Sequence, residues 1–179
     1  MKPTDHAYRN LSCQYITEAL FRLMQKDDYN AITISEITQE AGVARRTFYL
    51  NYDSKEDVLD QHYAILIKEY DAGFTEEMGR DPRKQSEYFF TFWYNHREYA
   101  RLLEKNGLLY MLVNRFYVYM SQTDSDTMHV FEDKERRYVF SYVEGGLLMM
   151  LQTWLKSDFQ ESPKELADMY VRISGFQMK

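Results

Sequence analysis

The chain has 179 residues, 45% of them hydrophobic, and a formal net charge of −6. This length suits one compact unit or two small, tightly joined domains, and the hydrophobic content is enough for a folded core. The chain contains only three prolines and seven glycines, which favours helices over a β-sandwich. Its single cysteine excludes an internal disulfide. The chain also lacks an apolar run of about 18 residues and an apolar signal-peptide core near its start. We therefore expect an all-α cytoplasmic protein without a membrane span.

The first predicted helix runs from about His6 to Gln25. Apolar residues recur there at about four-residue spacing, with three more beside them: Leu11, Tyr15, Ala19 and Leu23, flanked by Ile16, Leu20 and Met24. This stripe predicts an amphipathic helix that packs against the segment that follows it.

The segment 33–55, TISEITQEAGVARRTFYLNYDSK, predicts two short helices joined by a glycine turn. Thr33 and Glu36 form a capping box, which marks a helix start. Gly42 ends that helix because glycine readily adopts the left-handed conformation found just beyond helix ends. A second short helix is expected over about Ala44–Leu50, with Phe48 facing inward. This arrangement is a helix-turn-helix, whose second helix can enter the DNA major groove.

Polar side chains around the second helix are the candidate DNA-binding residues. Arg45 and Arg46 can make paired hydrogen bonds to guanine, each worth about 1–3 kcal/mol of discrimination. Thr47 can contact a phosphate or a thymine methyl group. Phosphate contacts are expected from four further side chains: Thr33, Tyr49, Asn51 and Lys55. The alternative is that the two arginines are an ordinary solvated pair.

The charge distribution agrees with a DNA-binding N-terminal segment. Residues 1–55 contain seven Lys or Arg and seven Asp or Glu, so the whole excess of acidic residues lies in residues 56–179. An acidic body limits non-specific adhesion to DNA. We expect few phosphate contacts per subunit and a modest dependence of binding on salt.

These residues identify a resemblance to the TetR/AcrR family of transcriptional regulators. Ten positions match the family pattern in register: Thr33, Ile37, Ala41, Gly42, Val43, Thr47, Tyr49, Ser54, Lys55 and Glu56. The resemblance implies an all-helical dimer with about nine helices. Residues 1–53 would form the three-helix DNA-binding domain, and residues 54–179 a helical effector-binding and dimerisation domain.

The chain departs from the family pattern at several positions near the second helix, where Leu50-Asn51-Tyr52 also replaces the common Tyr-His-Phe. Ala44 replaces the usual serine, so this helix loses a side-chain cap worth about 0.5–2 kcal/mol. Arg46 stands where glycine is common, which indicates extra reach into the major groove. Asp53 places a negative charge close to the expected phosphate path.

A long helix is expected from Ser54 to about Met78. Its buried side is expected to include Val58, Ala64, Ile65 and Phe74. Pro82 then suits the first turn of another helix.

Six of the seven residues 88–94 are aromatic. Together with a second cluster at 110–120, they predict an apolar pocket for an unknown small apolar or aromatic effector. The candidate pocket residues are Tyr88, Phe92, Trp93, Tyr110, Phe116 and Tyr117. The alternative is a closed aromatic core, with some rings at a subunit contact.

The polar segment 121–131 predicts a loop. None of His6, His62, His96 and His129 has a second histidine or cysteine at metal-ligand spacing, and no catalytic cluster or phosphate-binding glycine loop stands out. We therefore expect no metal, no cofactor and no enzymatic activity.

The last two helices are expected over about Glu132–Lys156 and from Ser162 onward, where Ser162, Pro163 and Glu165 give a strong start. Their apolar stripes predict a four-helix dimer contact: Phe140, Leu147, Met150, Leu151, Trp154, Leu166, Met169, Tyr170 and Ile173. Gly145 and Gly146 would permit close helix approach. The alternative is that these helices only close the core of the monomer.

The sequence thus predicts a ligand-responsive transcriptional regulator that binds a palindromic operator as a homodimer. Repression, rather than activation, is the predicted output. The alternative function is a TetR-like protein-interaction module or co-regulator that binds DNA weakly and is controlled by a partner protein.

Overall fold

The structure, a computed structural model, describes residues 5–122 and 133–175. These residues form ten helices and no strand, so the fold is all-α, as predicted. The helices are α1 Asp5–Lys26, α2 Ile34–Ala41, α3 Arg45–Tyr49, α4 Lys55–Gly73, α5 Glu76–Gly79, α6 Pro82–Asn95, α7 Arg97–Lys105, α8 Leu109–Gln122, α9 Asp133–Lys156 and α10 Pro163–Ser174. Of the predicted loop 121–131, Ser121 and Gln122 belong to α8, and the remainder, with His129, lies outside the described residues.

The chain divides into two compact units, one reaching to Leu66 and the other starting at Ile67. In the first unit α1 packs against α2. The fully buried apolar side chains of this unit come from all four helices: Ile16, Ala19, Leu20, Met24, Ile37, Phe48 and Val58. Leu11 and Tyr15 on α1 are exposed, so the buried stripe of α1 is displaced from the predicted one.

Helix α4 ends at Gly73 and is therefore five residues shorter at this end than predicted. Thr75 then starts the short helix α5, and its hydroxyl accepts a hydrogen bond from the Met78 backbone N–H at 3.3 Å. This additional helix start raises the count from the predicted nine to ten. Ala64 and Ile65, predicted to be buried, lie on the exposed side of α4.

In the second unit α10 packs along α6, and an ion pair between Arg83 and Asp168 joins the two helices. Phe90 on α6 is fully buried and lies 5.9 Å from the ring of Trp154 on α9. The Trp154 indole N–H donates a hydrogen bond to the Glu161 carbonyl at 3.0 Å. These contacts place α6, α9 and α10 around one aromatic core.

Two residues between α9 and α10 adopt left-handed backbone conformations. Asp158 and Phe159 have φ of 56° and 59°, which costs a non-glycine residue about 1–2 kcal/mol. Three contacts offset this cost. The Phe159 backbone N–H donates to the Trp154 carbonyl at 2.9 Å, the Arg101 guanidinium lies over the Phe159 ring, and Arg101 also pairs with Asp158 at 2.5 Å. The turn therefore fixes the start of α10, where the predicted capping box of Ser162 and Glu165 is confirmed.

In the part of the chain that the structure describes, no helix combines the length and apolarity needed to cross a bilayer.

Candidate nucleic-acid interface

The predicted capping box sets the start of α2. The Thr33 hydroxyl accepts a hydrogen bond from the Glu36 backbone N–H at 3.3 Å, and the Glu36 carboxylate accepts one from the Thr33 N–H at 2.8 Å. These hydrogen bonds hold the pKa of Glu36 below its ordinary value. Thr33 thus caps α2. Because the residue is also exposed, it remains accessible for the predicted phosphate contact.

Gly42 ends α2 as predicted. Its φ of 66° is left-handed, and its backbone N–H donates to the Gln39 carbonyl at 3.2 Å. The next N–H, of Val43, donates to the Thr38 carbonyl at 3.0 Å. The turn therefore redirects the chain within two residues, which sets the angle between α2 and α3.

Helix α3 is a single short turn held in place by its aromatic residues. Phe48 is fully buried, and its ring lies 5.8 Å from that of buried Tyr52. Burial raises the pKa of Tyr52 to about 12, and its hydroxyl lies 3.3 Å from the Thr17 hydroxyl on α1. The N-cap residue Ala44 makes no side-chain cap hydrogen bond, as predicted. Anchored on one side, α3 presents its opposite side to solvent.

The two arginines of α3 have different environments. Arg45 donates hydrogen bonds to the Ser35 hydroxyl at 3.0 Å and to the Tyr49 hydroxyl at 3.2 Å, and so ties α3 to α2. Arg46 is exposed, and its guanidinium has no side-chain partner within the described residues. Arg46 is therefore the arginine whose five N–H donors remain available to a base or a phosphate.

Leu50 is a candidate contact that sequence reasoning missed. Its side chain is 65% exposed and follows Tyr49, which is also exposed at the end of α3. An exposed leucine in this position can pack against a thymine methyl group. Leu50 lies two positions after Phe48, the residue predicted to face inward, and this spacing could have indicated that Leu50 is exposed.

The Asn51 side chain, predicted to contact a phosphate, makes hydrogen bonds within the protein. Its amide donates to the Thr47 carbonyl at 2.7 Å, and its amide oxygen lies within hydrogen-bond distance of the Arg9 guanidinium at 3.2 Å and the Cys13 thiol at 3.4 Å. The side chain thus joins the end of α3 to α1. Only one of the two amide N–H donors of Asn51 takes part in these hydrogen bonds among the described residues, so the other can still donate to a phosphate.

The Lys55 ammonium, also predicted to contact a phosphate, makes hydrogen bonds within the protein. Its ammonium donates to the backbone carbonyls of Tyr29, Asn30 and Ile32 at 2.6, 3.3 and 2.8 Å. It also lies 4.4 Å from the centre of the Tyr29 ring. All three ammonium protons therefore point to the turn between α1 and α2, so that Lys55 secures that turn.

The structure brings together only some of the predicted pocket residues. Tyr88, Phe92 and Phe116 surround the ring of Tyr70 at 4.9, 5.1 and 5.4 Å. Trp93 is fully buried on the same helix as Phe92. Tyr110 and Tyr117 lie on the exposed surface of α8, because they occupy the face of that helix opposite Leu112 and Phe116. Tyr70 was missed by the sequence reasoning.

The predicted dimer residues divide in a similar way. Phe140, Leu147, Leu151, Trp154, Leu166 and Tyr170 are buried within the subunit itself, Met150 and Met169 are half-buried, and Ile173 is exposed. The six buried side chains are thus part of the core, as the alternative reading held, and are not available to a second subunit. Gly146 serves the same core, because a Cβ there would lie 3.3 Å from the Tyr170 ring.

A capped helix, a turn at a left-handed glycine and a second, short and exposed helix follow one another in the chain. Together they define a helix-turn-helix protein. Residues 16–61 match the family model described as bacterial regulatory proteins, tetR family. Residues 80–174, more than half of the chain, match a model described as a transcriptional regulator C-terminal region. The chain belongs to the TetR family of transcriptional regulators.

A curated relative is the HTH-type transcriptional regulator EthR of Mycolicibacterium smegmatis, 36% identical over 87 residues. The match covers 45% of this chain and 40% of the length of that relative. Two solved structures share the fold. The dihydroxyacetone kinase operon activator DhaS has a TM-score of 0.61 at 15% identity, covering 90% of this chain and 93% of that one. The fatty acid degradation regulator FadR from Bacillus halodurans has a TM-score of 0.56 at 16% identity, with full coverage of both chains. These proteins are regulators rather than enzymes.

Proposed function

We propose that the protein is a cytoplasmic, ligand-responsive repressor that binds a palindromic operator as a homodimer. The observation that carries the proposal is the exposed α3, on which the guanidinium of Arg46 has no side-chain partner in the described ranges 5–122 and 133–175. One α3 would enter the major groove at each half-site, with the half-sites about one DNA turn or a multiple apart. Repression needs only occupation of the operator, whereas activation needs a further contact with the transcription machinery.

Arg46→Ala tests the DNA-binding part of the proposal. We expect specific operator binding to weaken by about 1–3 kcal/mol and sequence choice at the contacted base pair to relax, because a bidentate contact is lost. Arg46→Lys keeps the charge but not the planar fork, so it should retain non-specific affinity and lose discrimination. The operator is first selected from genomic fragments, and affinities are then measured by fluorescence anisotropy at fixed salt.

The matched control is Arg172→Ala, which removes an exposed arginine from α10 in the second unit. It should leave operator affinity unchanged. Operator affinity and sequence choice that are the same in Arg46→Ala as in the natural protein would remove Arg46 from the set of reading residues.

The proposed homodimer rests on an exposed stripe of α9. Tyr138, Tyr142 and Met149 are exposed and lie on one face of the helix, with Gly145 between them. A Cβ at Gly145 would meet no atom within 4 Å, so the glycine leaves an open notch in this stripe. Small residues flanked by apolar ones allow a second helix to approach closely. Exposed Ile173 on α10 adds to the apolar area.

Tyr142→Glu tests this surface. A carboxylate placed in an apolar interface lacks a partner, so we expect the dimer dissociation constant to rise at least tenfold, which corresponds to about 1.4 kcal/mol. Sedimentation equilibrium measures the constant. Tyr110→Glu is the matched control, because Tyr110 and Tyr142 are 61% and 59% exposed. Equal dissociation constants for the two variants would contradict the proposed surface.

Effector response is proposed to act through the C-terminal end of α4. The Tyr88 hydroxyl of α6 donates to the Tyr70 carbonyl at 2.7 Å, and the Tyr119 hydroxyl of α8 donates to the Asp71 carboxylate at 2.6 Å. A ligand bound among these aromatic rings would change contacts that hold α4. A coupling free energy of about 1–3 kcal/mol suffices to release the operator.

The alternative function is a co-regulator controlled by a partner protein. Ala44, which leaves α3 without a side-chain cap, and the exposed Asp53 favour weak DNA binding. Titration with random and genomic DNA at the same salt concentration separates the two functions. A repressor discriminates between the two DNA samples, whereas a co-regulator binds both weakly and alike.

A further inference from the structure

Glu144 lies on the face of α9 that forms the core of the second unit. Its side chain is only 2% exposed, and the residues one turn away on either side, Phe140, Leu147 and Leu148, are also buried. An acidic residue in the centre of such a stripe is unusual, because Asp and Glu are almost never fully buried unless they are paired.

The Glu144 carboxylate differs from the buried hydroxyls of Thr38 and Ser86 in its hydrogen bonding. Its Oε2 atom is buried without a hydrogen-bond partner among the described residues. By contrast, the buried hydroxyls of Thr38 and Ser86 both donate to backbone carbonyls of their own helices, at 3.0 and 2.8 Å. Burial raises the pKa of Glu144 to about 7, and no described cation offsets this effect. Among the described residues, Oε2 of Glu144 therefore has no hydrogen-bond donor, and no counter-ion lowers the pKa of the carboxyl group.

Tyr170 of α10 packs against the residues on either side of Glu144: its hydroxyl donates to the Val143 carbonyl at 3.3 Å, and a Cβ at Gly146 would lie 3.3 Å from its ring. The charge of Glu144 contributes to the raised pKa values of Tyr70 on α4 and Tyr170 on α10. Tyr70 is the residue around which Tyr88, Phe92 and Phe116 are arranged. Nε1 of the fully buried Trp93, in the same unit, is also without an acceptor among the residues that the structure describes.

These features define the chemistry of a suitable guest. An unpartnered buried carboxylate costs free energy that a charged N–H donor can recover through a charge-assisted hydrogen bond. Aromatic faces attract the same positive charge and also accept an apolar body. A neutral alcohol supplies the donor without the charge, and an anion is repelled.

We propose that Glu144 is the anchoring acid of the effector site and that the effector is an apolar amine whose ammonium group binds this carboxylate. The assignment rests on the proposed function, because it names the ligand class for the effector region of the regulator. It commits to a guest with one positive charge beside an aromatic or aliphatic body.

Isothermal titration calorimetry of the full-length protein without DNA tests the proposal. The probes are phenethylamine and tryptamine, each compared with the alcohol and the carboxylic acid built on the same side chain: 2-phenylethanol and tryptophol, 3-phenylpropanoate and indole-3-propanoate. We expect the amines to bind at least tenfold more tightly than the alcohols, and the acids to bind more weakly still.

Glu144→Gln should abolish the preference for amine over alcohol, because it keeps the size of the side chain and removes the charge. Glu161→Gln, a half-buried position in the same unit, should leave the preference intact. Cooperative thermal unfolding of each variant verifies that it is folded. The proposal is overturned if the natural protein binds amine and alcohol equally, or if Glu144→Gln retains the preference.

Operator binding is measured separately, in the absence of any amine. A protein that binds its operator but shows no amine preference loses the ligand assignment alone. A protein that binds amines through Glu144 but discriminates no DNA keeps this site and loses the proposed regulatory function.

Discussion

Glu144→Gln is expected to become more stable relative to the natural protein as the pH rises, by about 3 kcal/mol between pH 4.5 and pH 8. The reason is the buried carboxyl group of Glu144, whose pKa is about 7 in the folded protein against an ordinary 4.5. A glutamine in its place cannot ionise, so the variant is free of this contribution at every pH.

The direction of the effect follows from proton binding. Between pH 4.5 and pH 7 the folded protein keeps the Glu144 proton, whereas the unfolded chain has released it. The free energy of unfolding therefore falls by about 1.4 kcal/mol for each pH unit of increase in this window. The phenols of Tyr70 and Tyr170 have an ordinary pKa of 10.0, which burial raises further, so they are neutral in both the folded and the unfolded chain in this window and add no slope.

Urea unfolding of both proteins at pH 5, 6, 7 and 8 measures this difference. The protein concentration must be the same throughout, because dimerisation would shift the apparent stability. Glu161→Gln serves again as the control and should follow the natural protein. If the free energies of unfolding of Glu144→Gln and the natural protein change with pH in the same way, the pKa of Glu144 is not raised and its carboxyl group is not desolvated.

A residue that destabilises the folded protein at neutral pH, and whose buried oxygen has no partner in the described part of the chain, is a candidate for function. Natural proteins commonly retain such a cost where binding or activity requires it. The stability and amine-binding experiments on Glu144 are independent of each other. A pH-dependent cost without amine binding would leave Glu144 as a desolvated core residue only.

Lys55→Met is expected to destabilise the first unit by about 1.5–3 kcal/mol, the range for hydrogen bonds to a charged group. The substitution removes the ammonium that bridges the carbonyls of Tyr29, Asn30 and Ile32, and it keeps much of the length and apolar character of the stem. Thermal or urea unfolding of the two proteins measures the loss.

The salt dependence of operator binding separates this structural role from a phosphate contact. Removing one phosphate contact reduces the slope of log affinity against log salt by about 1. If Lys55 only secures the turn, the slope of Lys55→Met stays unchanged once affinity is corrected for the folded fraction. Arg46→Ala, which removes an exposed charge, provides the comparison. A reduced slope together with unchanged stability would return Lys55 to the phosphate-binding set.

Sequence reasoning succeeded where structure depends on neighbouring residues. The capping boxes at Thr33 and Ser162, the left-handed Gly42 and the missing cap at Ala44 each involve groups within about five positions of one another. Such local hydrogen bonds do not depend on which helices pack together. The helix-turn-helix could therefore be assigned before any tertiary contact was known.

Sequence reasoning was less accurate about which face of a helix is buried. Several overlapping stripes satisfy helical spacing in an aromatic-rich, apolar chain, and periodicity alone does not choose among them. On α1 the buried stripe is centred on Ile16 and Leu20 rather than Leu11 and Tyr15. On α9 four of the five predicted interface residues are buried in the core, and the exposed stripe is the one that contains Tyr142 and Met149.

The sequence by itself determined the all-helical class, the capped turn and the short arginine-bearing helix, because backbone capping and glycine conformation are local properties. Only the tertiary structure decided that the Lys55 ammonium reaches three carbonyls more than twenty residues earlier and that Glu144 is enclosed among apolar and aromatic side chains. Burial and long-range hydrogen bonding arise when separate helices pack together, and the spacing of residues within one helix does not specify which helices pack or in what orientation.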